Sequence, residues 1–178
     1  MEPTTFQLFF AILALAANIG TVAVVAARLL ARRSAVAADV TAVATDVALP
    51  LAWLVALTCT LGSLYFSEVA NYIPCTLCWY QRIAMYPLAV ILLVAVVRKD
   101  RGVVWYALPV AAIGLAISTY HYLEEWFPSI DSGVCSSTIP CSFVWFRKFG
   151  FISLPYMALS GFAFIIALIT LRPQEDAP

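Results

Sequence analysis

The chain has 178 residues, of which 63% are hydrophobic and 11% are charged, and its mean hydropathy is +0.94. A soluble domain carries about 25% charged residues, so this composition excludes an ordinary soluble protein and indicates one that lies in the lipid bilayer. The formal net charge is zero, so no basic field favours nucleic-acid binding.

Five apolar segments are long enough to cross a bilayer, which takes roughly 20 residues of helix. They cover residues 6–30, 48–70, 80–97, 103–123 and 152–171. The first has no lysine or arginine before it and is longer than the apolar core of a signal peptide, about 7–15 residues, so a spanning helix is favoured. The sequence therefore predicts an all-α, multi-pass membrane protein.

Most of the basic residues lie on one side of these five predicted crossings. They are Arg28, Arg32, Arg33, Arg98, Lys99, Arg101 and Arg172. Cytoplasmic loops carry an excess of lysine and arginine. We therefore expect the N-terminus outside the cytoplasm, together with the segment around residue 75 and the loop from 124 to 151.

The cysteines are the candidate functional residues. Two lie in the stretch PCTLCWYQR, at Cys75 and Cys78, and two lie in the last outer loop, at Cys135 and Cys141; Cys59 is in the middle of an apolar segment. All four outer cysteines fall on the oxidising side of the membrane, where disulfides persist.

Three kinds of site fit these cysteines: a zinc site, static disulfides or a redox-active dithiol. Zinc is disfavoured because the second pair is Cys-x5-Cys, wider than the usual spacing of about two to four residues. A disulfide between Cys75 and Cys78 closes so short a loop that it constrains the unfolded chain very little. A reactive pair is favoured over a static one, which stays an alternative.

Arg82 follows Cys78 by four residues, so the two share one face of the predicted third helix. Pro74 lies outside that helix, which is expected to begin near Cys78, and a helix N-terminus stabilises a thiolate. The arginine would stabilise the thiolate or bind a ligand oxygen; alternatively, its side chain extends to lipid headgroups. The chain has no haem-attachment, dinucleotide or iron–sulfur motif, which leaves a lipid-soluble quinone as the favoured electron acceptor.

Several motifs together resemble the disulfide bond formation protein B (DsbB) family, in particular its Gram-positive, BdbC-type members. They are LGSLYFSE at 61–68, CTLCWYQR at 75–82, HYLE at 121–124, Pro140-Cys141 and WFRKFGF at 145–151. The resemblance covers roughly residues 51–171. It implies a four-helix bundle in a bacterial plasma membrane, with the segment 6–30 as an additional transmembrane helix.

The resemblance also implies the activity. Members reoxidise a secreted or membrane-anchored thioredoxin-fold thiol oxidase of the DsbA/BdbD type and pass the electrons to a quinone; the Gram-positive likeness favours menaquinone over ubiquinone. The implied quinone-proximal pair is Cys75 and Cys78, and the implied partner-facing pair is Cys135 and Cys141. The implied quinone contacts are Cys78, Arg82 and His121, the single histidine of the chain.

The predicted organisation has three parts: residues 1–47 hold the additional helix and a connector at 31–46, residues 48–171 form the DsbB-like domain, and 172–178 are a disordered tail. Two other functions stay open. One is a non-catalytic membrane protein with two structural disulfides. The other is a vitamin K epoxide reductase-like protein, although its Cys-x-x-Cys begins the last helix, whereas here it begins the third of five.

Overall fold

The computed structural model describes residues 3–31, 35–130, 133–135 and 139–171. This part of the chain contains five α-helices and no β-strand. The helices are α1 (Pro3–Ala31), α2 (Ala35–Leu64), α3 (Thr76–Arg98), α4 (Val104–Trp126) and α5 (Leu154–Ile169). A π-helical turn at Tyr65–Val69 continues α2. Helices α2 to α5 form a bundle, and α1 packs on α2 and α5.

Four of these helices, α1 to α4, are long and apolar enough to cross a membrane. The fifth, α5, is apolar but has 16 residues, about 24 Å of helix. It is shorter than the predicted segment 152–171 because Ser153 is the N-cap, Pro155 occupies the first turn and the helix ends before Thr170. The predicted all-α membrane fold with an additional N-terminal helix is confirmed.

Most of the predicted connector at 31–46 belongs to α2, which begins at Ala35. The segment is rich in alanine, the residue with the highest helix propensity. The predicted disordered tail at 172–178 lies outside the described residues, as do Arg32, Arg33 and Arg172.

Small residues bring the helices of the bundle close together, as is usual for helices packed within a membrane. Ala52 and Ala56 of α2 and Ala107 of α4 are completely buried. Gly114 of α4 faces Phe162 of α5, and a Cβ added to this glycine would lie 2.3 Å from the phenylalanine ring. The α4–α5 contact therefore requires glycine at this position.

The bundle has a basic end and a cysteine-bearing end. At the basic end, Arg28 donates to Thr170 Oγ1 (2.8 Å), and Arg101 forms an ion pair with Asp46 (3.1 Å). Cys75, Cys78, Cys135 and Cys141 lie at the opposite end, where α3 begins and where the loop between α4 and α5 returns to the bundle.

Candidate redox site

The backbone at the start of α3 positions the first cysteine pair. Cys75 is the N-cap residue, with φ −73° and ψ 175°, and its Sγ accepts a hydrogen bond from the backbone N–H of Cys78 (3.3 Å). Cys78 lies in the first turn, as expected. However, the helix starts at Thr76, so the sulfur bonded to the free N–H groups of the helix is that of Cys75.

The two cysteine pairs are in different redox states and lie side by side. Cys135 and Cys141 form a disulfide, with Cα atoms 5.8 Å apart. Cys75 and Cys78 are free, and their Sγ atoms are 2.9 Å apart, within hydrogen-bond distance. The Sγ atoms of Cys75 and Cys141 lie within 4.8 Å of each other. A disulfide bond is about 2 Å long, so these two sulfurs would have to approach each other by less than about 3 Å to form one.

His121 of α4 lies between the two pairs and is 2% exposed. Its Nε2 is 3.7 Å from Cys75 Sγ and 3.1 Å from the carbonyl oxygen of Cys141. Its Nδ1 is 2.9 Å from the Gln81 side-chain nitrogen, which can only donate. Nδ1 therefore accepts, and the proton on Nε2 points toward Cys75 and Cys141.

The surroundings of Cys75 favour its thiolate. The hydrogen bond with the Cys78 thiol, followed by the hydrogen bond with His121, lowers the pKa of Cys75 from 9.0 to about 4, although burial opposes the shift. The helix N-terminus acts in the same direction. At neutral pH Cys75 is therefore a thiolate when the pair is reduced.

Buried acidic groups lie next to His121. Glu124 and Glu125 at the end of α4 are 1% and 9% exposed, and Ser153 Oγ donates to the Glu125 carboxylate (2.5 Å). The cysteine-bearing end thus holds a buried polar cluster below the outer loop.

Cys75, His121 and Cys141 also offer a set of sulfur and nitrogen atoms within 4.8 Å of one another. Zinc binds such atoms when the cysteines are thiolates. In this oxidation state, however, Cys141 is bonded to Cys135, so its sulfur is not a thiolate. The set does not supply three ligands while that disulfide is closed.

A cavity of about 360 Å³ extends from Cys78 into the bundle, between α1, α2, α3 and α5. Its polar end is lined by Ser63, Cys78, Gln81 and Arg82, and most of its remaining surface is apolar. This volume lies within the usual range of ligand pockets, about 300–1,000 Å³. The lining suits an elongated molecule with one polar end.

Arg82 is held at the wall of this cavity. Its Nε donates to Ser63 Oγ (2.9 Å) and its Nη2 donates to the Ser63 carbonyl oxygen (3.1 Å). The guanidinium carbon lies 5.1 Å from the ring centroid of Trp79. Cys78 and Arg82 thus line one cavity, whereas His121 is not among the described residues that line it and lies against Cys75 instead.

Two residues of this site were not singled out from the sequence, although both lie in the quoted motifs. Gln81 orients His121, and Ser63 positions Arg82. The sequence does contain a signal for both residues, because each is a polar side chain near the end of a membrane segment. Burying such a side chain in the membrane is energetically unfavourable, so it usually has a hydrogen-bond partner or a function.

Several known proteins have amino-acid sequences similar to that of this chain. The profile of the family described as "Disulfide bond formation protein DsbB" matches residues 45–171. Disulfide bond formation protein C of Bacillus subtilis is 50% identical over 127 residues, which cover 70% of this chain and 91% of that protein. A probable disulfide formation protein of Oceanobacillus iheyensis is 45% identical over 128 residues, covering 70% of this chain and 88% of its own.

A probable disulfide formation protein of Coxiella burnetii is 48% identical over 110 residues, covering 61% of this chain and 75% of its own. No solved structure matches the chain. The family match covers α3 to α5 and nearly all of the apolar part of α2, including all four outer cysteines. The resemblance read from the motifs is confirmed, and the chain belongs to the DsbB family of disulfide bond formation proteins.

Proposed function

We propose that this membrane protein is a quinone-dependent thiol oxidase that reoxidises a thioredoxin-fold partner of the DsbA/BdbD type outside the cytoplasm. The observation that carries the proposal is the position of the disulfide Cys135–Cys141 beside the free pair, with the sulfurs of Cys75 and Cys141 within 4.8 Å. Two cysteine pairs this close can exchange a disulfide without a large movement of the chain.

The first exchanges transfer the disulfide to the partner. A partner thiolate attacks Cys135, the Cys135–Cys141 bond breaks, and Cys141 leaves as a thiolate. Cys141 then attacks Cys75 of an oxidised Cys75–Cys78 pair and releases Cys78 as a thiolate. The second partner thiolate attacks the partner's own sulfur in the mixed disulfide, which closes the partner disulfide and releases Cys135.

The last exchange restores the outer disulfide. Cys135 attacks Cys141, the Cys135–Cys141 bond forms again, and Cys75 leaves as a thiolate. The low pKa of Cys75 makes it a good leaving group. His121 stabilises the developing charge, since the N–H on Nε2 points toward this sulfur. Both partner electrons then reside on Cys75 and Cys78.

The electron acceptor in this proposal is a quinone held in the cavity beside Cys78. Such a molecule combines a polar ring with a long apolar tail, which fits the polar end and apolar body of the cavity. Arg82, fixed by Ser63, and Cys78 would contact the ring. A quinone held there would supply a two-electron, two-proton acceptor, and Cys75 and Cys78 would give up their electrons and protons to form their disulfide again. The likeness to Gram-positive, BdbC-type members is our reason for proposing menaquinone over ubiquinone.

The proposed location is a bacterial plasma membrane, with the cysteine-bearing end and the N-terminus outside. This orientation is supported by the described basic residues at the opposite end, Arg28, Arg98, Lys99 and Arg101, since cytoplasmic ends carry the excess of positive charge. The Cys135–Cys141 disulfide supports it as well, because disulfides persist in oxidising compartments.

A disulfide-trapping experiment tests the exchange between the pairs. The double variant Cys78→Ser/Cys135→Ser keeps Cys75 and Cys141. After mild oxidation with diamide, peptide mass spectrometry should find a Cys75–Cys141 disulfide in most molecules. The matched variant Cys75→Ser/Cys135→Ser should form far less of any disulfide to Cys141. If Cys75 and Cys141 stay unlinked while the protein is folded, the proposed exchange does not occur.

A further inference from the structure

The helix α1 lies before the family match, which begins at residue 45, so the family relation assigns it no role. We propose that α1 forms one wall of the quinone cavity and binds the apolar tail of the quinone, so that the protein prefers quinones with a long isoprenoid tail. This inference rests on the proposed quinone-dependent function.

Polar contacts fix α1 to the bundle along its whole length. Gln7 donates to the Tyr72 hydroxyl (2.6 Å), in the segment that precedes the first cysteine pair. Asn18 donates to the hydroxyl of Tyr156 in α5 (3.0 Å). At the basic end, Arg28 donates to Thr170. These three hydrogen bonds, near the two ends and the middle of α1, set how the helix is rotated and how deeply it lies in the bundle. A helix that served only as a membrane anchor would not require them.

Close packing on both sides fixes α1 further. Gly62 of α2 receives the ring of Phe10, because a Cβ at this glycine would lie 2.6 Å from the ring. Gly20 of α1 receives the ring of Phe164 of α5 in the same way, at 2.7 Å. Helix α1 is therefore held between α2 and α5.

The part of α1 between these contacts lines the cavity. The residues are Phe10, Leu13, Ala14, Ala16 and Ala17, all of them apolar. The polar end of the cavity, with Ser63 and Arg82, is formed by α2 and α3 instead. Helix α1 thus contributes only surface that suits an apolar chain, and its alanines leave the space that such a chain needs.

The length of the cavity also fits a tail. On α2 its lining extends from Ser63 back to Leu51. These positions are twelve residues apart, which corresponds to about 18 Å along the helix. A quinone ring occupies only the end beside Cys78, so most of this length is available to the tail.

Substitution of Ala17 tests the inference. The variant Ala17→Phe places a ring in the apolar part of the cavity and leaves the end beside Cys78 unchanged. The matched control is Ala23→Phe, the same substitution on the same helix at an exposed position outside the cavity lining. Both are made in the full-length chain, purified in detergent.

The measurement is the dissociation constant for two quinones, from the quenching of tryptophan fluorescence; Trp79 and Trp145 lie at the cysteine-bearing end. One quinone is menaquinone with four isoprene units, and the other is menadione, which has the same ring and no tail. Wild type should bind the tailed quinone about tenfold more tightly. Ala17→Phe should remove most of this difference and leave menadione binding unchanged, while Ala23→Phe should match wild type.

The outcomes separate this inference from the proposed function. If wild type binds neither quinone, the proposed function fails and the inference fails with it. If wild type binds both equally, or if Ala17→Phe keeps the preference, the proposed function stands and α1 does not bind the tail. Should Ala17→Phe not fold, Leu13→Ala removes apolar contact without adding bulk and must weaken only the tailed quinone.

Discussion

Replacing His121 with leucine should weaken the thiolate of Cys75. The substitution keeps a similar volume but removes the N–H of Nε2, which is 3.7 Å from Cys75 Sγ. A hydrogen bond to a charged group contributes about 1.5–3 kcal/mol. One pKa unit corresponds to about 1.4 kcal/mol, so the pKa of Cys75 should rise by about one to two units above its value of about 4.

This change should also make the first pair a weaker oxidant. A stabilised thiolate stabilises the reduced pair and raises its reduction potential. Since the pKa of Cys75 stays below 7 in both proteins, the whole difference is present at neutral pH. For two electrons, about 1.4 kcal/mol corresponds to about 30 mV. The reduction potential of the Cys75–Cys78 pair should therefore fall by about 30–60 mV in His121→Leu.

Two measurements check this prediction. The pH dependence of the rate at which iodoacetamide alkylates Cys75 gives the pKa of this thiol; mass spectrometry of the peptide that contains Cys75 follows the reaction. Equilibration with glutathione buffers gives the reduction potential of the Cys75–Cys78 pair. Tyr122→Phe is the matched control, because Tyr122 is the next residue of α4 and its hydroxyl donates to the Phe151 carbonyl oxygen instead (2.9 Å). If His121→Leu leaves both the alkylation midpoint and the potential unchanged, His121 does not stabilise the thiolate.

Two further predictions concern the cavity and the packing of the bundle. Ser63→Ala removes the hydroxyl that accepts a hydrogen bond from Arg82 Nε, so the KM for quinone in steady-state kinetics should be several-fold higher. Formation of the trapped Cys75–Cys141 disulfide should be unaffected. An unchanged KM would show that Ser63 does not position Arg82. Gly161→Ala puts a Cβ 2.7 Å from Cys59 Sγ and should destabilise the fold by about 1–3 kcal/mol. Thermal unfolding in detergent measures this loss of stability. Adding Cys59→Ala to the same chain should restore most of the stability; if it does not, the added Cβ clashes with a residue other than Cys59.

The sequence predicted the helices well because long apolar runs and a set of family motifs are local signals. It was less accurate at the start of α3. Pro74 indicates that a helix begins nearby, but only the backbone hydrogen bond identifies Cys75, three residues before Cys78, as the N-cap. Helix ends are commonly uncertain by one or two residues. At this position, that uncertainty decides which sulfur the helix N-terminus stabilises.

The contacts of His121 and of α1 could not be predicted from the sequence, because they join parts of the chain that are far apart in it. His121 meets Gln81 and Cys75 across 40 and 46 residues of chain, and no local pattern specifies such a pairing. Helix α1 is apolar on nearly all sides, so its sequence does not reveal which side packs on the bundle. The small residues Gly20 and Gly62 were the available hint, since they permit close approach between membrane helices.

The central claim is that electrons pass from a partner dithiol through both cysteine pairs to a quinone. The most direct test is quinone reduction by the purified protein, supplied with a reduced thioredoxin-fold oxidase, in wild type, Cys78→Ser and Cys135→Ser. We predict turnover with menaquinone in wild type and its loss in both variants. Turnover that survives Cys135→Ser would mean that the partner reaches Cys75 and Cys78 directly, and a wild type without turnover on menaquinone or ubiquinone would contradict the claim.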